Sequence, residues 1–450
     1  MNFSRDDFGP DFVWGVSSAA YQIEGAWNID GKGKSIWDVF SNTRGKISKN
    51  QNGNIACDFY RRYPEDLSIL SQLRIPNYRI SLSWSRIMPS GTNTINQVGV
   101  DYYHRLIDMC LDLGIEPWIT LYHWDLPYDI ERKGGWTNRD IIGWFSDYTE
   151  CCIKLFGNKV RHWIILNEPL VFTGAGYFLG IHAPGRKGLN SFLAAIHHAA
   201  MCQAEGGRVV RSLLPEALIG TTFSCSLVEQ QKNNIHDLLA AKRVDALLNR
   251  MFIEPLAGLG YPVTDLKMLR RLEPFIKEGD EAKLAFDMDF IGLQNYTREI
   301  VTRSRITPFI WARVIKAEKR KVIMTEMKWE VYPESIYQML KQFSKYTNFK
   351  KIIVTESGAA FHDEIQNERV FDEKRRNYIE QCIGQVLRAK REGVSVEGYF
   401  IWCFTDNFEW AEGFNPRFGL VYIDFESQRR IIKESGYWYS RFLQKSEQLV

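Results

Sequence analysis

Charge of one sign is what this chain has least of: 57 Lys and Arg stand against 54 Asp and Glu, a formal net charge of +3 over 450 residues. So small an excess gives no general attraction to nucleic acid or to an anionic membrane, and neither is expected as a partner. Long apolar runs are missing as well: no stretch of about 18 apolar residues occurs, which leaves no candidate membrane-spanning helix. The opening residues, MNFSRDDFGPDFVWG, lack a basic region followed by an apolar core, so a cytoplasmic protein is expected unless a leader has been removed. Eight cysteines include the adjacent Cys151 and Cys152 but no C-x-x-C spacing, and they read as buried free thiols. His123, His197 and His198 have no second ligand at H-x-x-x-H spacing, and no metal or cofactor is expected. The one dense basic stretch, Lys316 to Lys321, is short, contains an acid, and reads as a solvated face.

What is present is an ordinary globular balance, 45% hydrophobic and 25% charged, enough to bury a large core. Short apolar, β-branched or aromatic runs recur at Phe12–Ser17, Tyr78–Ser83, Glu116–Tyr122, His162–Asn167, Leu218–Phe223, Phe290–Tyr296, Ile352–Glu356 and Tyr399–Phe404. Between them lie segments of helical period, such as Gly99–Leu113. Strand-then-helix alternation favours parallel strands, and eight strands suffice to close a barrel. The spacing exceeds the roughly 30 residues of a minimal strand–helix–strand unit, so the loops carry insertions of the size that builds pockets. No linker or compositional break appears, and the expectation is an α/β fold: one (β/α)8 TIM barrel with extended βα loops, a single domain over residues 1–450. A doubly wound open sheet is the alternative, but the first run is followed by AAYQIEGA rather than a glycine-rich dinucleotide loop, which also argues against a nucleotide-dependent enzyme.

Two of the runs end in glutamate. In HWIILNEP, Pro169 biases Glu168 toward an extended conformation and stops the strand; in KIIVTESGAA, Gly358 lets the chain turn away just after Glu356. Taken singly, each reads as a solvent-exposed acid at a strand tip. Taken together, on the fourth and seventh of eight parallel strands, they share the face where barrel active sites form. Paired carboxyl groups are the chemistry that breaks a glycosidic bond, one protonating the leaving oxygen and the other attacking or activating water. Arg79, inside the apolar strand NYRISLSW, would be costly there without a partner. Asp125 and Asp406 read as structural acceptors in their loops, and Trp14, Trp37 and Trp118 as core or loop anchors.

Seven ordered motifs, FVWGVSSAAYQIEGAW, NYRISLSWSRIMP, TLYHWDLP, LNEP, MKWEVYPESIY, VTESGAA and DNFEWAEGFNPRFGLVYIDF, span nearly the whole chain. Together they resemble glycoside hydrolase family 1, the β-glucosidase family. That resemblance implies hydrolysis of β-glycosides with retention, Glu168 as acid/base and Glu356 as nucleophile. It implies that Gln22, His123, Asn167 and Glu409 bind sugar hydroxyls, that Trp402 and Trp410 form the floor and wall, and that Trp124 and Phe418 join them. Trp329 would stack the leaving-group side, while Arg79 and Tyr296 would lie beside Glu356. A cation and a hydroxyl there would depress the pKa of Glu356, and Glu168, near that charge, would have its own raised.

The chain departs from the family pattern at Ser357, Gln294 and Leu170, where the family has Asn, Asn and often Trp. Gln294 is expected to alter the support behind the carboxyls, and Leu170 to open the leaving-group side. Glu409 would repel a 6-phosphate, so unphosphorylated β-glucosides are the expected substrates, with β-galactosides or β-fucosides as side activities. Transglycosylation on the same scaffold and a silent carbohydrate-binding barrel are the alternatives; either a monomer or a homo-oligomer fits the sequence.

Overall fold

The computed structural model describes residues 3–444. Eight strands carry the architecture: β1 (Val13–Ser17), β2 (Asn77–Ser81), β3 (Glu116–Tyr122), β4 (His162–Asn167), β5 (Leu218–Gln230), β6 (Phe290–Arg303), β7 (Ile352–Ser357) and β8 (Val396–Trp402). Each pairs in parallel with its sequence neighbour, and β8 pairs with β1, so the sheet closes on itself. Closure leaves no barrel edge to cover. Helices α1 (Phe59–Gln72), α2 (Gln97–Asp112), α3 (Ile141–Phe156), α4 (Leu189–Leu213), α5 (Ile235–Asp245), α6 (Glu334–Phe343), α7 (Glu373–Arg391) and α8 (Glu434–Leu443) follow the strands in turn.

The alternation of side chains along each strand fills two compartments. Outward residues join the helices in one large core, including Trp14, Ile119 and Val354. Inward residues Trp118, Ile164, Phe290, Ile353 and Phe400 form a separate buried cluster, with Val13 against it. Its members come from six different strands, so it can only sit inside the barrel, where it plugs one end. Gly15 makes the plug possible: a Cβ there would stand 2.4 Å from the Phe400 ring. Truncating Phe400 would cost about 3–5 kcal/mol by the cavity left behind.

The strands begin close to the sequence-derived runs, but two outgrow them. β5 and β6 continue paired beyond Phe223 and Tyr296, and β6 then takes an antiparallel partner, Ala312–Val314. Apolar periodicity misses these extensions because Glu229, Gln230, Arg298 and Glu299 interrupt it. Among the cysteines, Cys151 is half-buried rather than buried, a correction to the uniform reading; all eight are free thiols. Of Lys316 to Lys321, Arg320 is not merely solvated, since it pairs with Glu330. No helix among the described residues is long and apolar enough to cross a membrane.

Candidate active site

Glu168 and Glu356 stand at the end of the barrel opposite the aromatic plug. Glu168 is not extended, as Pro169 suggested: it takes a left-handed conformation, φ 46° and ψ 64°, and Pro169 opens a short helix, Pro169–Thr173. Proline is well suited to a first helical position, having no N–H to leave unpaired, so it starts the next element besides ending the strand. A left-handed glutamate costs about 1–3 kcal/mol, which the surrounding fold must supply. Glu356 lies within β7, and Gly358 follows for lack of room: a Cβ there would come 1.9 Å from the carbonyl oxygen of Trp402.

Both carboxyls line one pocket of about 310 Å³, together with His123, Trp124, Tyr296, Trp329, Trp402, Glu409, Trp410 and Phe418. Their surroundings differ. Glu356 receives the Arg79 guanidinium on Oε1 and the Tyr296 hydroxyl on Oε2, the latter at 2.7 Å. Among the described residues no cation is bound to Glu168. Burial raises its pKa well above the ordinary carboxylate value, and the charge of Glu356 adds to the rise. Burial also raises that of Glu356, although Arg79 and Tyr296 pull it back. The depression expected for Glu356 is therefore overturned, because desolvation outweighs the two partners. The order of the pair is kept: of two coupled carboxyls, the one with the cation and the hydroxyl donor carries the charge.

Behind the pocket, Asn167 ties four strands together. Its Oδ1 accepts from Arg79 at 2.5 Å, Gln294 at 2.9 Å and Thr222 at 3.0 Å, and its Nδ2 lies 3.0 Å from Nε2 of His123. Gln294 thus supports Asn167 directly, and neither carboxyl. Three donors fix which way the amide faces. Burial, with Arg79 nearby, holds the His123 pKa well below its usual value, so the ring is neutral.

On the other side, Nε2 of Gln22 donates to Asn407 at 2.9 Å and Glu409 at 3.4 Å, while its Oε1 is buried without a partner among the described residues. Trp410 packs between Trp124, at 4.5 Å, and Trp37, at 4.6 Å. Burial pushes the Glu409 carboxyl up to about 8, with the charge of Glu356 adding to it. Below that pH burial keeps Glu409 neutral, which weakens the charge argument against a 6-phosphate. The arrangement combines aromatic planes with polar groups of fixed orientation, as a sugar's C–H faces and hydroxyl rim require.

Other sequence expectations meet mixed outcomes. Val171 lines the pocket, whereas Leu170 packs half-buried against the core and does not reach the lining. Asp406 accepts from the Gly419 amide, Arg417 and Lys433, as a structural acceptor should, whereas Oδ1 of Asp125 has no partner among the described residues. His197 lies against Asp280 and Tyr261, and His198 against the carbonyl of Trp136. Trp14, Trp37 and Trp118 are buried. Among the described residues no group of three His, Cys, Asp or Glu is placed to hold a metal ion. Sequence reasoning missed His182, Ser224, Met327 and Glu299, which also line the pocket. They sit on loops and on the strand extensions, where no period marks an inward face.

The model of glycosyl hydrolase family 1 matches residues 4–448. The 1,4-beta-D-glucan glucohydrolase of Thermotoga neapolitana is 41% identical over 98% of both chains. Beta-glucosidase A of Thermotoga maritima is 40% identical over 99% of both. The solved structure of the beta-glucosidase from Thermotoga maritima in complex with glucoimidazole superposes with a TM-score of 0.92, at 39% identity, over 96% of this chain and 98% of that one. With a barrel of the same topology, two carboxyls in one aromatic pocket and a match over nearly its whole length, the chain belongs to glycosyl hydrolase family 1.

Proposed function

We propose that this chain is a retaining β-glycosidase that removes terminal β-D-glucosyl residues, with β-galactosides and β-fucosides as secondary substrates, through one catalytic domain. Glu356 attacks the anomeric carbon as the bond to the leaving oxygen breaks, and Glu168 gives that oxygen its proton. The ester so formed removes the charge of Glu356. Glu168, now ionised, takes a proton from the water that attacks the same carbon, and Glu356 leaves. Two inversions return the β configuration.

Gln22, His123, Asn167 and Glu409 hold the glucosyl hydroxyls, Trp402, Trp410, Trp124 and Phe418 enclose its ring, and Trp329 meets the leaving group. The observation that carries the reading is the asymmetry of one buried carboxyl pair: Arg79 and Tyr296 grip Glu356, and among the described residues no cation grips Glu168. The substrate class follows the relatives, which are named as acting on glucosides and glucans.

The test is chemical rescue. Glu356→Ala should lose at least about 10⁴-fold in kcat, and azide should restore turnover with an α-glycosyl azide as product. Glu168→Ala with azide should yield the β-azide. Exchange of the two anomers would reverse the roles; full activity without azide would end the proposal.

A further inference from the structure

Glu299 lines the same pocket, yet among the described residues its carboxyl has no hydrogen-bond or ion-pair partner. The cations around it are already engaged. Arg298 donates to both oxygens of Glu330 and, at 2.9 Å, to Glu229, and Arg320 also binds Glu330. Burial pushes the Glu299 carboxyl up to about 6, opposed by Arg320 and helped by Glu330.

Its direction has a cause in the sheet. Along β5 and β6 the pairing runs Cys225 with Asn295, then Leu227 with Arg298, so β6 spends three residues where β5 spends two. An extra residue in one strand reverses which alternate side chains face inward. Tyr296, at the start of the bulge, faces Glu356; beyond the bulge the inward position falls to Glu299. Regular alternation would have turned Arg298 inward. Instead Arg298 lies 3.7 Å from the centre of the Tyr332 ring, outside the pocket lining. Glu299 follows Tyr296 along β6, and Thr297 and Arg298 between them bind Glu330, the residue after Trp329, so this stretch of the strand lies on the Trp329 side of the pocket that Glu299 and Trp329 both line.

We propose that Glu299 determines leaving-group specificity, its carboxylate accepting hydrogen bonds from hydroxyls of a sugar leaving group whose ring lies against Trp329. The inference rests on the glycosidase reading above. An acceptor without a protein partner in a pocket that also presents an aromatic plane is the pairing that binds a sugar, and the pocket lining holds no Lys or Arg to recruit an anionic leaving group. The bond that breaks and the proton donor are unchanged; only the fit of the departing sugar is at issue.

Glu299→Gln and Glu299→Leu are to be compared with the unaltered enzyme on cellobiose and on p-nitrophenyl β-D-glucoside. In both variants kcat/KM for cellobiose should fall at least about tenfold further than for the aryl glucoside. An acceptor sugar occupies the same side, so transfer of the glucosyl group from the aryl glucoside to cellobiose should fall in parallel against hydrolysis. A selectivity ratio within about twofold of the unaltered enzyme, with both substrates cleaved, would overturn the role of Glu299 alone. An unaltered enzyme that cleaves neither substrate would overturn the glycosidase reading with it.

Discussion

Arg79 reaches Oδ1 of Asn167 at 2.5 Å with one terminal nitrogen and binds Glu356 with the other. One fully buried guanidinium therefore joins the residue before Glu168 to the acid on β7, so the spacing of the two carboxyls depends on β2.

Arg79→Met should abolish that link. Breaking one partner of a buried ion pair costs about 3–5 kcal/mol, and kcat/KM should fall at least about 100-fold. Without the cation the Glu356 pKa rises further; activity that needs its anion is lost as pH falls through that pKa, so the acid limb moves to higher pH. A limb that stays in place, read from pH–rate profiles, would show that Arg79 does not set the charge on Glu356.

Tyr296→Phe removes the 2.7 Å donor to Glu356 and little else. Loss of a hydrogen bond to a charged group, about 1.5–3 kcal/mol, predicts a fall in kcat/KM of about 10- to 100-fold and an acid limb displaced the same way as in Arg79→Met, but less. Comparing the two profiles tests the ranking; an equal or larger displacement for Tyr296→Phe contradicts it.

Glu168 must hold a proton in the first step, and activity should decline as pH rises through its elevated pKa. Glu168→Gln should flatten that basic limb. Substrates with poor leaving groups should lose about 10²- to 10⁴-fold in kcat/KM, and 2,4-dinitrophenyl β-glucoside, which departs without a proton, far less. Equal losses across a series of leaving groups would remove Glu168 from the role of acid.

Lys433 lies 2.6 Å from both Asp363 and Asp406 with none of the three side chains exposed. Burial opposes the charge on Asp363, yet Lys433 and Arg375 hold its pKa below the ordinary value. Stability from such a group is present above the unfolded pKa of about 3.9 and is lost as pH falls through the lower folded one. Lys433→Met should cost about 3–5 kcal/mol in denaturant unfolding and move acid unfolding to higher pH. An unchanged acid midpoint would show that this pair does not govern it.

The eight strands were legible because apolar, β-branched runs recur and end in turn residues, and β3 and β4 coincide with their runs. Gln22, Asn167 and Glu409 could be singled out only through ordered motifs: a buried polar residue far along the chain from its partners leaves no periodic trace. That Val171 and not Leu170 meets the pocket was not legible, because one position at a helix start decides which of the two faces it.

By itself the sequence determined the alternation of strands and helices, the two acids at strand ends, and the family, since all three are written in local pattern and motif order. Tertiary structure decided the surroundings of the two acids and which side chains line the pocket. Desolvation, the reach of Arg79 and the bulge that turns Glu299 inward all arise from chain segments meeting across the barrel, where separation in sequence sets no distance.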